Sequence, residues 1–208
     1  MLITKVFTVE SAHIVRNCTS ERCSHSIHGH SAKIEVAFEA KTLDNAQMVM
    51  DFGLMKNEIK KFIDSMDHCY LLCKYDSQEF KDFIKKSCDR WIELPFNPSA
   101  EMLSMFVMWG VDRILDNMKF NNGEGEVSVF SVKYHETATG SAICTATDMN
   151  NIWNEMISRN PDEWEIVFSP GIQMDWGLRS MNVMFGLPTQ EESKMIVNPK
   201  IPMQIKLN

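Results

Sequence analysis

The sequence has no excess of positive charge: its 21 lysines and arginines are outnumbered by 28 aspartates and glutamates, for a formal net charge of −7. A general nucleic-acid binder needs a basic surface to collect phosphates, so nucleic acid is not expected as a partner. A small anionic substrate stays open, because a few local arginines suffice to hold one. No stretch of about 18 apolar residues occurs, which leaves no candidate membrane span. The N-terminal "MLITKVFTVESAH" lacks the apolar core and small-residue cleavage site of an export signal. Without such a signal, the cysteines at 18, 23, 69, 73, 88 and 144 read as reduced thiols of a cytoplasmic protein. Internal repeats and low-complexity tracts are also absent. What is present is an ordinary globular composition, 44% hydrophobic and 24% charged, over 208 residues. That length buries a substantial core without disulfides.

The pattern along the chain is mixed. "LITKVFTVESAHI" alternates and is rich in β-branched and aromatic residues, as a strand requires. A polar loop, "CTSERCSHS", leads to "HGHSAKIEVAFEA", a second alternating strand expected to lie antiparallel to the first. Leu54, Ile59, Phe62, Ile63 and Met66 fall at helical spacing. A short helix is expected near 77–87 and a longer one after "NPSAE", with Asn97 or Ser99 at its N-cap. "VSVFSVKYHET" and "SAICTATDM" form a hairpin around "ATG". Strands, helices, then strands again make an α+β domain over 1–148. Residues 149–208, with Trp153, Trp164, Trp176, Phe168 and Phe185, are too apolar for a disordered tail. They are expected to be an ordered extension, with "WEIVFS" as an edge strand, packing on the core or a neighbouring subunit.

The chemistry concentrates in "ERCSHSIHGH", residues 21–30. Strand side chains alternate, so His28 and His30 leave the same face. His13 ends the preceding strand and comes beside them if the two strands pair through the 14–27 loop. Three neutral imidazoles with an open fourth position suit a catalytic Zn²⁺. The bland alternative is three polar side chains at a strand end. Cys23 or His25 could instead complete a closed, structural site, or Cys23 could stand free as a thiolate beside the cation.

"FTVESAH", the cysteine loop, "HGHS", "MVMDFGLMK", "MDHCYL", "NPSAEML" and "HET" occur in this order. Together they resemble the 6-pyruvoyltetrahydropterin and 6-carboxytetrahydropterin synthase family over residues 1 to about 148. The resemblance implies a tunnelling fold: a four-stranded antiparallel sheet carrying two main helices, closed into a barrel by oligomerisation. It implies a homohexamer with active sites between subunits, and 7,8-dihydroneopterin triphosphate as substrate. It assigns His13, His28 and His30 as zinc ligands and Cys23 as the catalytic thiol. Asp67 and His68 become a proton-transfer pair acting across a subunit boundary. Glu136 becomes the carboxylate on the pterin's amino-pyrimidine edge, with Ser99, Ala100 and Glu101 contacting the ring. Arg16 and Arg22 become candidates to receive the triphosphate.

The favoured activity is formation of 6-carboxy-5,6,7,8-tetrahydropterin with loss of acetaldehyde and triphosphate, a step toward queuosine and other deazapurines. The alternatives are a 6-pyruvoyltetrahydropterin synthase and, in another class, a non-catalytic zinc and pterin binder. The chain departs from the family pattern in places. Four residues separate Cys23 from His28, a spacing between those of the carboxy- and pyruvoyl-forming members. His25 is unexpected, Leu72 stands where an asparagine often does, Ala100 lacks a hydroxyl, and the segment after 148 is extra.

Overall fold

The protein is described by a computed structural model covering residues 1–159, 161–185 and 201–202. Two long strands, β1 (Leu2–His13) and β2 (His28–Ala40), pair antiparallel along their whole length. β2 also pairs with β5 (Val127–His135), which pairs with β6 (Ser141–Thr145), both antiparallel. These four strands are the expected antiparallel unit.

The sheet does not stop there, which corrects the expectation of four strands. β3 (Cys69–Cys73) adds to β1 in parallel, β4 (Trp91–Leu94) adds to β3 in parallel, and β7 (Glu165–Phe168) adds to β4 antiparallel. A two-residue strand, β8 (Ile201–Pro202), completes the order β6-β5-β2-β1-β3-β4-β7-β8. The physical reason lies in burial. All five residues of β3 are buried, so "CYLLC" reads as a continuous apolar run without the period-2 signal of a half-exposed strand. Leu71 and Ile92 join the main core on one face, while Tyr70, Leu72 and Trp91 pack with Ile84 on the other.

The helices are α1 (Glu21–His25), α2 (Glu58–Asp64), α3 (Gln78–Ser87) and α4 (Ala100–Asn117). Ser77 caps α3 and Ser99 caps α4, each hydroxyl accepting a backbone N–H of the first turn. The first expected helix is split: residues Leu54–Lys56 form a 3-10 turn and only α2 is α-helical. α2 and α4 meet closely at Gly110, where an added Cβ would fall 2.0 Å from Phe62 Cζ. Among the described residues, no helix is long and apolar enough to cross a membrane.

After β6 come α5 (Ala146–Asp148), a π-turn (Met149–Trp153), α6 (Asn154–Arg159), β7 and α7 (Pro170–Phe185). α7 carries a break at Gly177, whose φ is +68°. Met149, Trp153, Ile157, Trp164, Ile166, Phe168, Ile172 and Trp176 share one core cluster with the residues of β1, β2 and α4. This explains why α4 is buried continuously from Leu103 to Val111: the sheet covers one face and the later segment covers another. "WEIVFS" supplies β7, as its pattern suggests. The side chain of Phe185 lies outside the described residues.

Trp153 is fully buried, with ring centroids of Phe96, Trp109 and Trp164 at 5.5, 6.5 and 6.0 Å. Trp153→Ala is therefore expected to lower unfolding free energy by about 3–5 kcal/mol, the usual cost of deleting a core aromatic. A urea titration showing a loss below about 1 kcal/mol, the effect of an ordinary surface change, would mean that the segment is only loosely attached.

Candidate metal centre and active site

The antiparallel register of β1 and β2 sets His13 directly opposite His28 and Ser11 opposite His30. Alternation then places His28 and His30 on the face of β2 that buries Ala32, Ile34 and Val36. The three rings converge, with centroids 4.6, 5.2 and 5.2 Å apart. One ligand nitrogen from each lies within 4.8 Å of the others, the one His/Cys/Asp/Glu group among the described residues able to hold a metal ion.

Hydrogen bonds to backbone carbonyls orient two of these rings. His13 bonds to the backbone of Pro98, leaving its buried Nε2 without a hydrogen-bond partner. His28 Nδ1 lies 3.0 Å from the Ser26 carbonyl, so Nδ1 carries the proton and Nε2 keeps its lone pair. His30 Nε2 is also buried and unpartnered. Buried nitrogens with no partner are costly in a folded protein, and a divalent cation would satisfy them. The donor set therefore fits a metal held by imidazole nitrogen.

Burial, followed by the charges of His28 and His30, pushes His13 down to about 4. The ring is thus neutral near pH 7, the form that ligates metal. A histidine with a depressed value destabilises the fold on acidification, because the unfolded chain takes up a proton near pH 6.5 and the folded chain resists it. In metal-free protein this contribution is absent above about pH 7 and grows as pH falls from 6.5 toward 4, reaching about 3 kcal/mol for this group. Urea titrations of metal-free wild type and His13→Asn should diverge in that sense over this window; parallel curves would contradict it.

Glu136 follows the last residue of β5. Its Oε1 lies 3.8 Å from His13 Nε2 and 3.9 Å from His30 Nε2, so the carboxylate faces the histidine cluster. Cys23 is half-buried on α1 and belongs to no metal-binding group. Its carbonyl accepts the Val15 N–H at 2.9 Å, which ties α1 to the chain two residues after His13. Cys18 bonds to the Ser20 carbonyl instead. The His25 ring points to Ser24 Oγ at 2.8 Å and to the Glu21 carboxylate at 3.3 Å, outside the metal group.

Asp67 and His68 lie between α2 and β3. Asp67 Oδ2 is 2.8 Å from His68 Nδ1, and Asp67 Oδ1 accepts the Glu10 N–H at 2.7 Å. Burial pushes the Asp67 carboxyl up, but the Glu10 amide, the His68 ring and Arg90 outweigh it and hold the group below its ordinary range. His68 is exposed and lines an open groove of about 630 Å³ with Glu10, Ser31, Tyr70 and Arg90.

Ser99 is the N-cap of α4, with Ala100 and Glu101 in its first turn. The preceding residues carry a role that sequence reading missed. Asn97 is not the cap. Its side chain takes the Arg16 N–H at 3.0 Å and gives to the Arg16 carbonyl at 2.6 Å. Arg16 is not a free phosphate ligand, because its guanidinium bonds to Asp76 at 2.7 Å and to the Ser24 carbonyl at 3.2 Å. Pro98 thus holds His13 while Asn97 and Asp76 hold Arg16, in the connection between His13 and the helix that carries Cys23, and nothing in residue type or spacing signals it.

The sequence profile described as 6-pyruvoyl tetrahydropterin synthase matches residues 2–147. A Helicobacter pylori protein named 6-carboxy-5,6,7,8-tetrahydropterin synthase is 39% identical over 176 residues, covering 85% of this chain and 86% of its own. An Aquifex aeolicus protein of the same name is 32% identical over 156 residues, covering 67% of this chain and 94% of its own. The Helicobacter match is longer than the profile's span, so it reaches beyond that span into this chain's later segment. Among solved structures, one from Wolinella succinogenes superposes with a TM-score of 0.55 at 19% identity, over 70% of this chain and 98% of its own. A Plasmodium vivax 6-pyruvoyltetrahydropterin synthase superposes with a TM-score of 0.51 at 16% identity, over 69% and 97%. Those two likenesses bear on the fold.

Proposed function

The chain belongs to the 6-pyruvoyl tetrahydropterin synthase family, and from that membership we propose that it is a zinc-dependent 6-carboxy-5,6,7,8-tetrahydropterin synthase. The observation that carries the reading is the histidine cluster, with two buried Nε2 atoms that have no hydrogen-bond partner. The choice of product follows the name shared by the two sequence relatives. The reaction takes 7,8-dihydroneopterin triphosphate and one water to 6-carboxy-5,6,7,8-tetrahydropterin, acetaldehyde and triphosphate. Atoms balance and no external oxidant or reductant is required.

His13, His28 and His30 hold the zinc, which supplies Lewis acidity that acidifies C–H and O–H bonds of the substrate side chain. Cys23, as thiolate, takes a proton from that side chain. His68, oriented by Asp67, moves a proton on the opposite side, in the site of an adjoining subunit of a homohexamer whose sheets close a barrel. Glu136 accepts two N–H bonds from the 2-amino-pyrimidinone edge, and Ser99, Ala100 and Glu101 line the ring. The free state of all six cysteines suits a reducing cytoplasm.

Incubation with dihydroneopterin triphosphate followed by mass spectrometry tests the reading. The expected product is the carboxy compound with acetaldehyde. The pyruvoyl product would assign the other family activity, and unconverted substrate would favour a zinc and pterin binder.

Glu136→Gln keeps the side chain's size but sets a donor against the pterin's donor edge. Pterin affinity is expected to fall by about 1–3 kcal/mol, the penalty of an unmatched buried polar pair, with zinc content unchanged. Calorimetry finding unaltered pterin binding together with reduced zinc would make Glu136 a metal ligand instead.

A further inference from the structure

Among the described residues, the Arg90 side chain joins the segment after residue 148 to the turn that carries Asp67 and His68. Arg90 precedes β4, and its guanidinium is engaged on every arm. Nε bonds to the Asp67 carbonyl at 2.9 Å, one terminal nitrogen bonds to the Asp64 carbonyl at 2.7 Å, and the other bonds to the carboxylate of Asp175 on α7. The first two contacts close the C-terminal end of α2, where the chain turns into Asp67 and His68. The third ties that turn to the later segment.

Two further contacts act on the same place. Trp176 Nε1 donates to the Lys61 carbonyl on α2 at 3.2 Å, and its ring packs on Phe168 at 4.5 Å. β7 pairs with β4 immediately after Arg90, and the Ser169 N–H bonds to the Trp91 carbonyl at 2.9 Å.

What is being held is a strained residue. His68 has φ of +51°, the left-handed region that a non-glycine residue occupies at a cost. Such a conformation persists when its surroundings over-determine it. Here Glu10 takes the His68 N–H at 2.7 Å and gives its own N–H to Asp67, while Arg90 fixes the Asp67 carbonyl. The Asp175 carboxylate is 63% exposed, so its ion pair adds little to global stability. Its consequence is the direction of the guanidinium.

We infer that the segment after residue 148 is a positioning element for the Asp67–His68 pair, acting through Asp175 and Arg90. This rests on the reading of that pair as proton-transfer groups.

The test uses the full-length, zinc-loaded protein with Asp175→Asn and Arg90→Lys, two variants that keep side-chain size or charge. Misplacing a catalytic group by about 1 Å can cost up to ~10²-fold. On that scale Arg90→Lys should lower kcat by about 10-fold and Asp175→Asn by about 3-fold, with KM within about 2-fold and zinc content unchanged. A purely structural role would not move the His68 ring, so its proton resonance, assigned with His68→Gln, is the second readout and should shift in both variants. Wild-type kcat in both, or an unmoved His68 resonance, overturns the inference. His68→Ala in the same assay separates the two levels. If it retains full turnover, the pair's catalytic role fails and this inference with it. If it is inactive while Asp175→Asn and Arg90→Lys both keep wild-type kcat, the inference alone fails.

Discussion

Cys23→Ala is expected to lose about 10²–10⁴-fold in kcat, the usual contribution of a positioned general base, while keeping one zinc per subunit and its fold. The two halves of this expectation have separate grounds. The loss of turnover follows from the proposed thiolate role. Retention of metal follows from geometry, since the three histidine nitrogens group without Cys23. Retention of the fold follows from the hydrogen bonds of Cys23, which are made by its backbone: the Cys23 carbonyl holds Val15 N–H, and the Cys23 N–H bonds to the Ser20 carbonyl at 3.1 Å. Alanine preserves both. Kinetics and metal analysis on one sample decide the matter. If Cys18→Ala were the inactive variant, the loop has been misassigned. If Cys23→Ala lost its zinc, the thiol closes the coordination sphere, and the binder reading gains.

The second large effect is expected from His28→Ala, which should reduce bound zinc from one per subunit to a small fraction and abolish turnover with it. His28 stands opposite His13 in the strand register, and its ring is held by the Ser26 carbonyl, which aims its free Nε2 at the other two rings. Removing it leaves two imidazoles, too few for a stable site of this type. The thermal consequence is also specific. A metal that binds only the folded state raises stability in proportion to the logarithm of its concentration. Wild type should therefore melt higher with added zinc, and His28→Ala should not. Full zinc stoichiometry in the variant would sink the ligand assignment.

Much of the site is readable along the chain because it is local. His28 and His30 share a face by strand periodicity alone, and His13 joins them once the two strands pair, which their alternating patterns already demand. Ser99 and Ser77 announce helix starts through side-chain chemistry that acts over one turn. Asp51 likewise binds the Gly53 N–H at 2.6 Å, two residues away. Other features have no local signature. Arg16 looks like a free cation until Asp76, sixty residues later, is placed against it. Asn97 looks like an N-cap until its amide is seen to clamp the Arg16 backbone.

By itself, then, the sequence determined the β1–β2 pair, the converging histidines, α3, α4, the final hairpin and the strand in "WEIVFS", because each rests on periodicity or capping within a short window. Only the tertiary structure decided that the sheet continues through β3 and β4. Strands buried on both faces lose the alternation that would mark them. It also decided that α4 is covered on a second side by residues after 148, and that Arg90 joins α2, Asp67 and α7. Those outcomes depend on which distant surfaces meet, and burial against a distant partner leaves in the sequence only an apolar residue or a charge, with nothing to say what it touches.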